Sequence, residues 1–167
     1  MTKSKTSKYL PSADLKDAPV EFCWATFCKA ILERGTERTL YNVLSSMKAD
    51  ILVSGEPDSK DIQMPLQELA LYSLFKRKAG FEGQIDYPVV LEIENLETDL
   101  KELTVSLPPD ASHSQQTVNF QRASVGIPSS EGEHFVTFRA FFKSGNKILG
   151  SAEFLVKARV SYERVGS

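Results

Sequence analysis

The segment His134–Val160, HFVTFRAFFKSGNKILGSAEFLVKARV, decides the fold. It consists of two alternating runs joined by Ser144-Gly145-Asn146. Successive side chains of a strand point to opposite faces. Val136, Phe138, Ala140 and Phe142 therefore share one face, and Thr137, Arg139, Phe141 and Lys143 the other. On the second run Ile148, Gly150, Ala152, Phe154 and Val156 stand against Leu149, Ser151, Glu153, Leu155 and Lys157. A two-residue Gly145-Asn146 loop would place Glu153 opposite Phe138, on the buried face. A three-residue Ser144-Gly145-Asn146 loop pairs Phe138 with Ala152, Val136 with Phe154 and Phe142 with Ile148. A one-residue slip would expose a whole face, so the three-residue loop is expected, with Asn146 left-handed.

The same register has a consequence for the outward face. It sets Phe141 opposite Leu149 and Phe135 opposite Leu155, where polar residues would suffice. Apolar cross-strand pairs stabilise a sheet, but an uncovered group of them marks a partner site. Phe135, Phe141, Leu149 and Leu155 are thus the candidate partner surface.

Upstream, the chain reads as further short strands. Val20–Ile31 (VEFCWATFCKAI) is rich in aromatics and apolar on both faces, with Phe22, Trp24 and Cys28 against Cys23, Ala25, Phe27 and Ile31. Glu37–Leu44 pairs with it across Gly35. Ser45–Asp50 reads as a loop or bulge, Ile51–Val53 as a short strand and Ser54–Pro65 as a long surface loop. Leu66–Lys78 fits either a helix after Pro65 or a strand, and its neighbours favour a strand. Ile85–Leu96 and Leu100–Leu107 alternate across Glu97-Thr98-Asp99, with Pro88 demanding an edge or a bulge. A polar loop runs to about Gln116, Thr117–Ala123 is a strand, and Gly126–Gly132 is a turn-rich link.

The 167 residues suit one domain, here 20–162, between a flexible arm at 1–19 and a tail at 163–167. Lys3, Lys5 and Lys8 in the arm could touch an acidic surface, although a solvated tail is the simpler reading. A net charge of −2 argues against a nucleic-acid binder. No apolar run approaches the roughly 18 residues of a membrane helix, and the polar start MTKSKTSK is not a signal peptide. Cys23 and Cys28 lie five apart in one strand, on opposite faces and too far apart to bridge each other. They are expected as reduced thiols of a cytoplasmic protein.

Catalytic signatures are missing: no GxSxG, P-loop, GxGxxG or HExxH occurs. His113 and His134 have no nucleophile or carboxylate spaced to serve them, and with two cysteines they do not make a zinc set. Glu92 and Glu94 share a face and could act as an acid–base pair, yet a solvated face explains them. Asp58, Asp61, Glu97, Asp99 and Asp110 could gather around calcium at one end of a sandwich, but they are sparse and interrupted by lysines such as Lys60. No cofactor, no metal and no enzyme activity are expected. Trp24, Tyr72 and Tyr87 remain as possible stacking surfaces for a small ligand or carbohydrate.

VVLEIENLETDLKELTVSLPPD (89–110) and GIPSSEGEHFVTFRAFFKSGNKILGSAEFLV (126–156) together resemble the C-terminal part of immunoglobulin-like sandwiches in small bacterial proteins. The carrying features are Pro128, then Gly132, then the aromatic entry Phe135–Phe138 to the closing hairpin. CWATFCKAILERGTERTLYNVL (23–44) resembles their opening hairpin. The cysteine–tryptophan–cysteine framework of antibody domains is absent. The resemblance implies an antiparallel immunoglobulin-like β-sandwich of about seven to nine strands and carries no activity. The function expected is a non-catalytic protein-interaction module, a subunit or accessory component of a cytoplasmic bacterial assembly with a protein partner or as a homo-oligomer. The alternative is a ligand-binding sandwich using exposed aromatics.

Overall fold

Eleven strands and no helix occur among the residues that the computed structural model describes: 18–35, 37–55, 60–96 and 101–163. They are β1 (Val20–Arg34), β2 (Glu37–Leu44), β3 (Ser46–Val53), β4 (Ile62–Leu66), β5 (Leu69–Arg77), β6 (Ile85–Glu94), β7 (Lys101–Leu107), β8 (His113–Phe120), β9 (Ala123–Ile127), β10 (Gly132–Ser144) and β11 (Lys147–Tyr162). One sheet has the order β2-β1-β5-β8, the other β3-β11-β10-β6-β7, and β4 pairs with β9 in a separate ribbon. All these pairings are antiparallel except that of β3 with β11.

The chain is therefore an all-β sandwich, and its core is an aromatic seam between the two large sheets. Phe27 meets Phe138 edge-on at 5.2 Å and Phe154 at 5.7 Å. Phe75 meets Phe142 at 5.7 Å. Such edge-to-face contacts suit the ring quadrupoles. The β4–β9 ribbon adds Leu66, Ala123, Val125 and Ile127 to the same buried cluster.

The closing hairpin forms with the expected inner face, since Phe138, Ala140, Phe142, Phe154 and Val156 are all buried. Its register differs from expectation. Ser144 pairs with Lys147 and Lys143 with Ile148 around a two-residue Gly145-Asn146 turn. The ladder then shifts, so that Phe142 faces Gly150, Ala140 faces Ala152 and Phe138 faces Phe154. Leu149 is the extra residue of a β-bulge, which switches the phase of β11 and turns Glu153 outward opposite Arg139. Gly145, with φ of 56°, takes the left-handed conformation instead of Asn146.

A second bulge corrects the reading of β1. Phe22 pairs with Phe75 but Trp24 with Leu74, so Cys23 is the inserted residue. Phe22 and Trp24 consequently lie on opposite faces rather than one. Phe22 points inward, 5.6 Å from Phe75 and 5.3 Å from Phe142. The two bulges meet in the core: the Phe22 ring lies flush on Gly150, where an added Cβ would fall 2.1 Å from Phe22 Cδ1.

Other departures add strands to the seven to nine expected. Residues 46–50 belong to β3, part of the loop expected at 54–65 is β4, β8 begins at His113, and β9 occupies the start of the link at 126–132. The 66–78 ambiguity resolves as the strand β5. At Pro88 no bulge is needed, because the β10 ladder ends at the Val90–Lys143 pair. The arm expected at 1–19 and the tail at 163–167 lie mostly outside the described residues. Of those described, Ala18 is buried, the Pro19 carbonyl accepts from the Lys78 amide at 3.0 Å, and the Glu163 amide donates to Val53.

One end of the sandwich is tied by Arg77. Its Nε donates to the Ala111 carbonyl at 3.1 Å. Nη1 reaches the carbonyls of Gly83 (2.9 Å) and Phe81 (3.4 Å). Nη2 reaches Pro108 (2.6 Å) and Leu107 (3.3 Å). A single planar guanidinium thereby joins the end of β5 to the β5–β6 and β7–β8 connections.

Candidate protein-binding surface

The outer face of the β3-β11-β10 region carries the most exposed aromatic ring among the described residues. Phe135 is 64% exposed in the first third of β10, where alternation makes it point away from the core between His134 and Val136. In register, Phe135 faces Lys157 of β11, which faces Lys48 of β3. The next row is Glu133, Arg159 and Asp50, with Glu133 and Arg159 paired at 3.3 Å. These rows line an open groove of about 440 Å³ on one side of Phe135. A second groove, of about 550 Å³, lies on its other side and includes Asp61, Gln63, Asn95 and Thr137. Asn95, itself left-handed at φ of 62°, donates to the Thr137 carbonyl at 2.9 Å and closes that groove's wall.

The four residues singled out by sequence do not form one patch. The bulge at Leu149 replaces the Phe141–Leu149 pair by Phe141–Ser151 and the Phe135–Leu155 pair by Phe135–Lys157. Phe141 is buried, with the Arg139 guanidinium 5.9 Å above its ring. Beside it, Lys143 and Glu92 form an ion pair at 2.7 Å. Leu149 turns against the core, and Leu155 is half-buried next to Ser46. Phe135 alone stays open. Its charged neighbours Lys48, Asp50, Lys157 and Arg159 were not singled out by sequence, although the alternation of Lys48 and Asp50 with Met47, Ala49 and Ile51 marked them as outward-facing.

The remaining polar candidates are dispersed. Among the described residues His113 Nδ1 meets only its neighbour Ser112 Oγ, at 2.8 Å, and His134 Nε2 lies 2.7 Å from the Ser130 carbonyl. Glu92 is tied to Lys143, and Glu94 stands in register with Arg139. Asp110 is exposed on a turn, whereas Asp58, Glu97 and Asp99 lie outside the described residues. Among the described residues no three His, Cys, Asp or Glu side chains gather as a metal site. Among the described residues no helix is long and apolar enough to cross a membrane.

The aromatic candidates occupy the opposite sheet or a half-buried position. Thr117 Oγ1 of β8 donates to Glu33 Oε1 at 3.2 Å, and Glu33 pairs with Arg38. A straight β1 would carry Glu33 about 17 Å past Cys28, so the β1–β2 tip bends over the outer face of its own sheet. Tyr72 is buried there, and burial raises its pKa against the opposing pull of the Arg38 charge. Trp24 stacks on it at 5.0 Å and is 43% exposed, outside both grooves. Tyr87 donates to Ser144 Oγ at 2.7 Å.

The same cover shields Cys28, which is fully buried with its Sγ directed at the Ala70 carbonyl. Burial raises its pKa, so at neutral pH even less of it is thiolate. Both cysteines are free, and Cys23 at the bulge is only half-buried. With a chromogenic disulfide reagent, the native protein should therefore show one fast thiol, abolished by Cys23→Ser. Cys28 should react at least about tenfold more slowly, since it must wait for local opening, and faster as pH rises.

Comparison with known protein families gives no matching family model, and comparison with curated proteins gives no significant match.

Proposed function

We propose that this chain is a non-catalytic protein-interaction module that docks a partner protein on the outer face of β10 and β11, around Phe135. The carrying observation is the ring itself: 64% exposed, within a paired strand, and flanked by two grooves. A large apolar ring held open on a rigid strand costs little ordering on binding and suits a central anchor with a charged rim. Lys157, Arg159 and Glu133 supply that rim. The partner this surface fits presents an apolar side chain to Phe135 and polar groups to the rim.

An immunoglobulin-like fold is part of this proposal. The strand order supports it: β3 runs parallel beside the last strand, β5 and β8 lie in one sheet, and β6, β7, β10 and β11 lie in the other. Chain connections that alternate between two sheets in this manner are the Greek-key pattern of such sandwiches. The two free thiols fit a reducing, cytoplasmic setting, and a role in a bacterial assembly is part of the same proposal, resting on the sequence resemblance alone.

The test is affinity capture by the native chain, then reconstitution with the purified partner. Phe135→Asp should weaken binding at least tenfold, as loss of an anchor of roughly 2 kcal/mol does, while thermal stability stays within about 0.5 kcal/mol of wild type. Unchanged affinity in Phe135→Asp removes this face as the site.

A further inference from the structure

We infer that two copies of this chain join through the free edge of β3, antiparallel about a two-fold axis at Ala49, merging their five-stranded sheets into one. This goes beyond the Phe135 reading and does not depend on it. Among the described residues, β3 has a strand neighbour on one side only, β11. The carbonyls of Ser45 and Val53 accept from Leu155 and Glu163, on the β11 side. Backbone groups alternate in direction along a strand, so those of Ser46, Lys48, Asp50 and Leu52 point to the open edge. Exposed edges of this kind are templates for pairing, and Leu52 on this one is 64% exposed.

Charge selects the occupant and the register. Centring the pair on Ala49 puts Lys48 opposite Asp50 of the second copy, and Asp50 opposite the second copy's Lys48. It also puts each Leu52 opposite Ser46, and it joins the outward-pointing backbone groups as hydrogen-bonded pairs. Moving either way by one step of that ladder sets Lys48 against Lys48, or Asp50 against Asp50, which is unfavourable. Within one copy Lys48 sits directly beside Lys157 in the parallel register, and neither has an ion-pair partner among the described residues. The second copy's Asp50 would supply the missing carboxylate. The edge is thus self-complementary, which a two-fold interface requires.

The experiment is sedimentation equilibrium on the full chain across a concentration series, with circular dichroism to verify folding. The wild type should be a dimer that weakens as salt is raised. Lys48→Asp alone and Asp50→Lys alone each create two like-charge pairs and should weaken dimerisation at least about tenfold. An equimolar mixture of these two variants, and the double variant Lys48→Asp/Asp50→Lys, both restore opposite charges and should dimerise again. A folded wild type that stays monomeric overturns the proposal. So does a dimer indifferent to the single swaps, or one that neither the mixture nor the double variant restores. Phe135→Asp leaves the dimer intact if the two surfaces are separate, so failure of one reading is distinguishable from failure of the other.

Discussion

Gly150→Val should destabilise the protein by about 3 kcal/mol or more, at the upper end of overpacking costs, read as a fall in the urea midpoint at unchanged slope. The reason is steric. Gly150 follows the β11 bulge and accepts the face of Phe22, whose position is fixed by the β1 bulge and by Phe75 and Phe142. A Cβ would overlap the ring at 2.1 Å, and the ring is already held against Phe75 and Phe142. Even Gly150→Ala should be costly. The discriminating measurement is a double-mutant cycle: in a Phe22→Ala background the cost of Gly150→Ala should largely vanish. Additive costs would mean that Gly150 is required for its backbone instead of for the ring it receives.

Arg77→Ala should cost about 2–4 kcal/mol, because five charge-assisted hydrogen bonds, three of them part-buried, are lost together. Five backbone oxygens, from Phe81, Gly83, Leu107, Pro108 and Ala111, converge on the one guanidinium. Lysine carries the same charge but cannot present donors in a planar fork. Arg77→Lys should therefore recover less than half of the loss, read from chemical denaturation at neutral pH. Amide exchange localises the effect: protection should fall first at Phe81 and Ala111, whose amides bond within these turns. Full rescue by lysine would mean that charge alone matters at this position.

The sandwich and its inner faces were legible because period-two alternation is strong wherever one face is buried, as in Phe138, Ala140 and Phe142. Bulges were not legible. Each inserts a single residue, Cys23 or Leu149, that reverses the phase without any local marker of composition. The preference for a three-residue turn was a consequence: it was the only regular ladder that kept Glu153 out of the core, and the chain solved the same problem by another route. The partner surface inherited that error, which is why only Phe135 of its four residues stands open. Edge strands were also hard to see. In β3 and β8 one face and one edge meet water, so Lys48, Asp50, Gln115 and Asn119 dilute the apolar signal. Arg77 could not have been identified, since its partners are carbonyls, which sequence does not distinguish.

The parallel pairing of β3 with β11 has a bearing on how the chain is made. Ser46 lies beside Leu155, so β3 leaves the ribosome more than a hundred residues before the strand that will bind it. At about 5–20 residues per second, its backbone waits several seconds with neither side satisfied, while the first sheet can already assemble up to β8. The sixteen residues of β11, Lys147–Tyr162, then complete both the β10 hairpin and the β3 pair. Quality control that reads exposed strand edges would thus sense whether translation had passed β11.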